Sequence, residues 1–437
     1  MNINSVVKLT MLDRAKGALV GLALGDALGT SLEFMPKDSY PPLLDLFGGG
    51  PFNLVAGQWT DDTSMMLCLA DSLLAKAKHD AKDQMDLYCK WWQQGHNSVN
   101  GHCFDIGGTV FDALSLYQST GNANAGSTNE YTAGNGSLMR LAPVSIFYSS
   151  YRNASEEELH AAAKLSSITT HAEQRAVEAC QIMAWLLYRL FDDSERKLSK
   201  NKLFELLSTY WGNKGIHDDL LKVVTGSFLK KSRKHIHGTG FVVQSLEAAL
   251  WSFANSDSFQ QGALLAANLG DDADTTAAIY GQLAGAYYGY RHLPLPWLEK
   301  LAWHEEIKER AVLLSQLPTL EQLKRLLNEF NKSSSAQLSE SIYKALYVHG
   351  CILTEYRWKD YPNRDLLLSL IKSVDPENTV LKRQFFESLT YIECFEVITV
   401  IVRQDRFSHG LWNIFVSNGS FKAWLECVAQ FVDNKKD

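Results

Sequence analysis

An all-α architecture is the fold class this sequence predicts. Three observations lead to it: apolar residues recur at helical spacing, long alternating valine-rich strands are missing, and glycines repeat at four-residue steps in two distant segments. The 437 residues, 46% hydrophobic and 21% charged, suffice for a substantial core and for more than one domain. A net charge of -7 without any basic block argues against a nucleic-acid surface. The seven cysteines are scattered and odd in number, with no CxxC, which fits buried thiols in a reducing compartment. The apolar run near the start is interrupted by Asp26 and is too short to span a bilayer, so a cytoplasmic protein without a membrane partner is expected.

The first predicted helix, residues 12–29, carries Gly17, Gly21, Gly25 and Gly29 roughly on one face. Glycine weakens a helix, so the close approach of a neighbouring helix is its expected reason. The spacing lacks the tight GxGxxG turn of a dinucleotide site. A long connection over 31–62 leads to a helix at 63–78 with Met66, Leu67, Ala70, Leu73 and Leu74 as its apolar positions. Asp105 precedes a helix at 109–117, and the Gly-, Asn-, Ser- and Thr-rich stretch 119–140 reads as a loop. Ser155 and Glu158 form a capping-box pattern. Helices are expected at 173–190, 241–253 and 275–290, the last with small positions at Gly281, Gly285 and Gly289. After Trp303 the glycine-rich signals stop, and 331–339 reads as a polar linker. Helical stretches near 340–356, 380–403 and 410–432 suggest a second, small helical domain. The expected division is 1–304, a helical connection and linker at 305–339, and 340–437.

Two acidic sets stand at predicted helix starts: Thr60, Asp61 and Asp62, and then Asp271, Asp272 and Asp274 with Thr275 and Thr276. Helix capping explains carboxylates at one such site. Five aspartates in two tight sets exceed what caps require, and if the sets met, their repulsion would need a cation. Oxygen donors suit Mg²⁺, with Mn²⁺ also possible, and no His/Cys cluster has zinc spacing. Glu33 is a candidate acid or base in a loop or, alternatively, a surface residue. Asp26 reads as a polar interruption of the first helix, and Asp105 as either a helix cap or a proton-transfer group. The turn Gly134, Asn135, Gly136, Ser137 could cradle phosphate oxygens, a weak signal alone. His171 stands at a helix start, where a lone histidine is more often structural than catalytic.

Taken together, "GALVGLALGDALGTSLEF", "WTDDTSMMLCLADSL", "FDIGGT", "GNGSLMRLAPV", "TTHAEQRAVEAC", "GTGFVVQSLEAALWSF" and "NLGDDADTTAAIYGQLAGAYYG" resemble, in order, the ADP-ribosylglycohydrolase family over about residues 11–303. The resemblance implies a compact all-α domain holding two Mg²⁺, or Mn²⁺ in some members. It implies Thr60, Asp61, Asp62, Asp272, Asp274 and Thr275 as metal ligands, and Asp105 or Glu33 as the catalytic carboxylate. It places Gly134, Asn135, Gly136 and Ser137 at the diphosphate and Gly238 and Gly240 near the distal part of ADP-ribose, with His171 among the ligand-binding candidates. The implied activity is removal of ADP-ribose from a protein side chain, arginine first. Serine-linked or O-acetyl ADP-ribose, a metal-dependent phosphohydrolase and a non-catalytic ADP-ribose- or toxin-binding protein are the alternatives. The closing segment loosely resembles a small helical bacterial domain of unknown function, a possible docking or specificity module. Its Arg403, Arg406 and His409 near a turn suggest no chemistry.

Overall fold

The computed structural model describes residues 9–150, 154–192, 198–316, 346, 383–404 and 411–433. Its regular elements are helical, and among the described residues strand-type pairing is limited to three isolated bridges. The chain separates into two compact units, one of residues 1–72, 79–149 and 154–311, the other of residues 73–78, 150–153 and 312–437.

Two helices form the centre of the first unit: α1 (Met11–Gly29), and a helix near its end, Ala273–Tyr288. Every residue of α1 from Gly17 to Gly29 is buried, as is every residue from Ala273 to Ala286. Helices buried on all sides belong in a core. The glycine stripe explains how they fit. A Cβ on Gly25 would lie 2.0 Å from the carbonyl oxygen of Ala277, and one on Gly281 would lie 2.1 Å from that of Gly21. The two backbones therefore touch, which side chains at these positions would prevent.

Between them in the chain come α2 (Asp61–Lys76), α3 (Ala81–Gln94), α4 (Gly108–Thr120), α5 (Ala142–Ser150), α6 (Glu156–Ile168) and α7 (Gln174–Phe191), of which α7 packs against both. They are followed by α8 (Lys200–Trp211), α9 (Asp218–Val224), α10 (Ser227–Lys230), α11 (Val242–Ala254) and α12 (Phe259–Ala267). The central helix Ala273–Tyr288 is α13, and α14 (Leu295–Lys300) and α15 (His304–Gln316) come after it. The predicted capping box opens α6: Ser155 Oγ accepts from Glu158 N and Glu158 Oε2 from Ser155 N. Gly289, expected inside α13, instead ends it with φ +81°. α2 starts at Asp61, two residues before the expected start, so both aspartates occupy its first turn.

In the second unit, α16 (Arg383–Glu387), α17 (Tyr391–Gln404), α18 (Leu411–Ser417) and α19 (Ser420–Asp433) surround Phe386, Phe395, Ile398 and Leu425, all fully buried. Trp424 Nε1 donates to the carbonyl oxygen of Cys394 at 2.8 Å. The helix expected at 340–356 lies outside the described residues, apart from Leu346, as do Arg406 and His409. Among the described residues, no helix is long and apolar enough to cross a membrane.

Candidate metal and substrate site

The backbone contact between α1 and α13 decides what meets at their ends. α1 delivers Asp26 and, after a short 3₁₀ turn at Thr30–Leu32, Glu33. α13 delivers Asp272, Asp274 and Thr275 at its start, and the first turn of α2 adds Asp61 and Asp62.

Asp26 is fully buried and holds the start of α2. Its Oδ1 accepts from Thr60 N and Thr60 Oγ1, both at 2.9 Å, and its Oδ2 from Thr63 N at 3.0 Å and Thr63 Oγ1 at 2.6 Å. Carboxylate oxygens of Asp26, Asp62 and Asp274 all lie within 4.8 Å of one another, and so do those of Glu33, Asp272 and Asp274. Asp274 joins the two triads. Thr60 Oγ1 lies 3.3 Å from Oδ2 of both Asp62 and Asp274, and Thr275 Oγ1 lies 3.4 Å from Asp62 Oδ2. Asp61 belongs to neither triad; its carboxylate feels Asp105, Asp274, Asp26 and Asp272 as like charges.

Capping does not account for Asp272 or Asp105. Asp272 stands at the N-cap of α13 but makes no capping bond with its side chain. Glu33 takes that role, with Oε2 accepting from Ala273 N at 2.9 Å and Asp274 N at 3.4 Å. Gly107, not Asp105, occupies the N-cap of α4. Asp105 is half-buried, on left-handed backbone at φ +57°.

Burial is the largest cause pushing every one of these carboxyls upward. It raises Asp26 to about 6, against the four hydrogen bonds, and Asp105, Asp272 and Asp274 to about 7. Asp61, Asp62 and Glu33 are likewise pushed well above the usual carboxylate range, with neighbouring carboxylates adding to burial. Such a cluster is ionised together only beside a positive charge. Asp62 Oδ1 is buried with no hydrogen-bond partner in the protein. An orphaned carboxylate oxygen among all-oxygen donors fits a hard divalent cation.

Two glycine loops border this acidic site and pair with each other. Asn135 N donates to Gly240 O at 3.1 Å and Val242 N to Ala133 O at 3.0 Å. Asn135 Nδ2 donates to Asp272 Oδ2 at 2.6 Å, and Asp272 N to Gly238 O at 2.9 Å. A Cβ on Gly238 would lie 2.8 Å from Thr276 Oγ1, and one on Gly240 would lie 3.5 Å from Asp272 Oδ2. His171 is buried under the first loop, where a Cβ on Gly136 would come 2.8 Å from its Cε1 and one on Gly134 3.1 Å from its Nε2. Arg140 Nη2 donates to Thr170 Oγ1 at 2.7 Å, and that hydroxyl shares a hydrogen bond with His171 Nδ1 at 2.8 Å. Burial, helped by Arg140, lowers His171 to about 3, which keeps it neutral. Ser137 is also turned inward: its Oγ accepts from Ser167 Oγ at 2.8 Å and lies 3.4 Å from Cys180 Sγ.

Sequence reasoning passed over Asp26 as a site residue. The available signal was a carboxylate inside an otherwise apolar, glycine-striped helix, where burial without partners is costly.

The family described as ADP-ribosylglycohydrolase matches residues 8–331, and a family of unknown function, DUF6508, matches residues 302–434. The chain is similar to the ADP-ribosylarginine hydrolase Tri1 of Pseudomonas putida (strain GB-1), at 43% identity over 72% of this chain and 82% of that protein. It is also similar to the ADP-ribosyl-[dinitrogen reductase] glycohydrolase of Rhodospirillum rubrum, at 30% identity over 66% of this chain and 90% of that one. A solved structure titled ADP-ribosylglycohydrolase-related protein complex superposes with a TM-score of 0.61 at 40% identity, over 70% of this chain and 98% of that chain.

Proposed function

The chain belongs to the ADP-ribosylglycohydrolase family, a divalent-metal-dependent hydrolase fold, and from that premise we propose that it cleaves the bond between the anomeric carbon of ADP-ribose and a protein arginine. The observation that carries this reading is the meeting of two carboxylate triads at Asp274, beside paired glycine loops. The arginine linkage draws its support from the similarity to Tri1.

In this reading Thr60, Asp61, Asp62, Asp272, Asp274 and Thr275 hold two Mg²⁺ or Mn²⁺, with Asp26 fixing the Thr60–Thr63 turn from behind. When bound, the ions neutralise the carboxylates and, as Lewis acids, orient the ribose hydroxyls and a water. The backbone of residues 134–137 and 238–240 binds the diphosphate and distal part of the substrate, and Asn135 fixes both Asp272 and the loop. His171 and Ser137 act from below by holding the loop's shape. Asp105, which caps no helix and is half-buried, transfers the proton at its carboxylate oxygens. Glu33 is tied to two backbone N–H groups of α13 and orients the triad.

Asp105→Asn and Glu33→Gln, each measured with a metal titration, separate these roles. Loss of turnover of about 10²–10⁴-fold with metal affinity retained marks the proton-transfer residue. If Glu33→Gln alone shows that pattern, the assignment to Asp105 is wrong. A panel of arginine-, serine- and carboxylate-linked peptides tests the linkage. We further propose that the C-terminal region matched by DUF6508 docks the protein substrate. Truncation near residue 330 is then expected to spare small substrates and impair protein ones, and equal loss on both opposes it.

A further inference from the structure

Beside the acidic site the protein shows a row of rings. Phe34 follows Glu33 and Phe104 precedes Asp105. The Phe34 and Phe52 ring centroids are 6.3 Å apart at 74°, and those of Phe52 and Phe104 are 5.2 Å apart at 58°. His102 extends the row, 6.0 Å from Phe104. Phe34 is 66% exposed.

Its backbone has φ +62°, a conformation costly for a bulky residue. Two hydrogen bonds hold it there: Phe34 N to Asp271 O and Asp271 N to Met35 O, both at 2.8 Å. The fold thus holds the backbone of an exposed phenylalanine, adjacent in sequence to Glu33, in a conformation that folding alone would give to glycine or a polar residue.

We propose that the ledge of Phe34, Phe52 and Phe104 receives the guanidinium of the acceptor arginine. This rests on the arginine reading above. A guanidinium is planar, permanently charged and weakly hydrated, so it stacks on aromatic faces. A serine-linked acceptor offers neither a plane nor a charge. The glycine loops, tied to Asp272 through Asn135 and Gly238, serve the ADP portion, which leaves the ledge flanked by Glu33 and Asp105 for the acceptor side.

The test uses the full chain with Mg²⁺ and a peptide ADP-ribosylated on arginine. Phe34→Leu keeps apolar area but removes the π face, whereas Phe34→Tyr keeps the face. Phe34→Leu is expected to raise KM by about 3- to 30-fold, the range of a cation–π contact, with kcat changed by less than about threefold. Phe34→Tyr restores KM, and calorimetric affinity for free ADP-ribose is the same in all three proteins. Thermal unfolding identifies a misfolded variant, for which Phe104→Leu substitutes with the same expectation. An unchanged KM in the leucine variant overturns the proposal, and so does a parallel loss of ADP-ribose affinity, which would make the ledge an adenosine contact. If wild-type protein does not cleave the arginine-linked peptide, the arginine reading fails and the ledge proposal with it. If wild type cleaves it and Phe34→Leu is unaffected, the ledge proposal alone fails.

Discussion

Gly25→Ala tests whether the meeting of two backbones builds the acidic site. The added Cβ would lie 2.0 Å from Ala277 O and 2.5 Å from Ala277 C, and the tightest real contacts of this kind begin near 3.0 Å. The obstacle is backbone, so α1 and α13 must part locally by about 1 Å. Overpacking of this kind costs typically 1–3 kcal/mol, and alanine's better helix propensity returns up to about 1 kcal/mol. The net loss of stability is therefore about 0–3 kcal/mol. The neighbouring residue is Asp26, whose oxygens hold Thr60 and Thr63 at 2.6–3.0 Å and stand in a triad with Asp62 and Asp274. Metal sites tolerate shifts of only about 0.2 Å. Gly17→Ala is the control: its Cβ would lie 2.1 Å from Gly285 O, an equal overlap, yet eight residues or about 12 Å farther along the helix. Both variants should melt lower by a few degrees. Only Gly25→Ala should lose Mg²⁺ or Mn²⁺ affinity by calorimetry, by about 10-fold or more. Equal loss of metal affinity in the two variants, or none in Gly25→Ala, would refute the reasoning.

In Asp26→Asn one of the two backbone N–H groups, Thr60 or Thr63, is left without an acceptor, because an amide has a single acceptor oxygen. With saturating Mg²⁺ the variant should lose about 1–3 kcal/mol in denaturant unfolding, and wild-type stability would contradict this. Asn135→Ala removes the donor to Asp272 Oδ2 and should weaken ADP-ribose binding in a calorimetric titration; unchanged affinity would show that the loop is positioned otherwise. His171, lowered to about 3 from an ordinary 6.5, binds its proton more readily in the unfolded chain between these values. Its share of stability is therefore complete above pH 6.5 and falls as the pH drops, by about 1.4 kcal/mol per unit down to about pH 3. His171→Gln should be less acid-sensitive than wild type by about 2 kcal/mol between pH 6.5 and 5, and parallel pH–stability curves would rule this out.

Local features of this fold were legible in the sequence, and long-range ones were hidden. The four-residue glycine step implied a close helix neighbour, since no other local reason for it exists, and the carbonyl of Ala277 now stands at Gly25. The two acidic sets were visible as sets, and their charge implied a cation if they met. Asp26 looked like an interruption because its partners Thr60 and Thr63 are 34 and 37 residues away. Glu33 looked like a loop residue because the helix it caps starts 240 residues later. The loop containing Ser137 was recognisable by composition, but composition does not tell which hydroxyl turns inward; that is set by Ser167 and Cys180 packing from other helices. His171 similarly depends on Arg140 and Thr170, which a helix-start pattern does not reveal.

Product identity tests the central claim most directly. An arginine-ADP-ribosylated peptide is incubated with the full chain and Mg²⁺, and the products are identified by mass spectrometry, with Asp274→Asn as the control because Asp274 belongs to both triads. Cleavage at the anomeric carbon predicts ADP-ribose with its diphosphate intact and unmodified arginine peptide, both suppressed in Asp274→Asn. AMP together with a phosphoribosylated peptide would instead make this a phosphohydrolase site, and full release by Asp274→Asn would contradict the role given to the shared carboxylate.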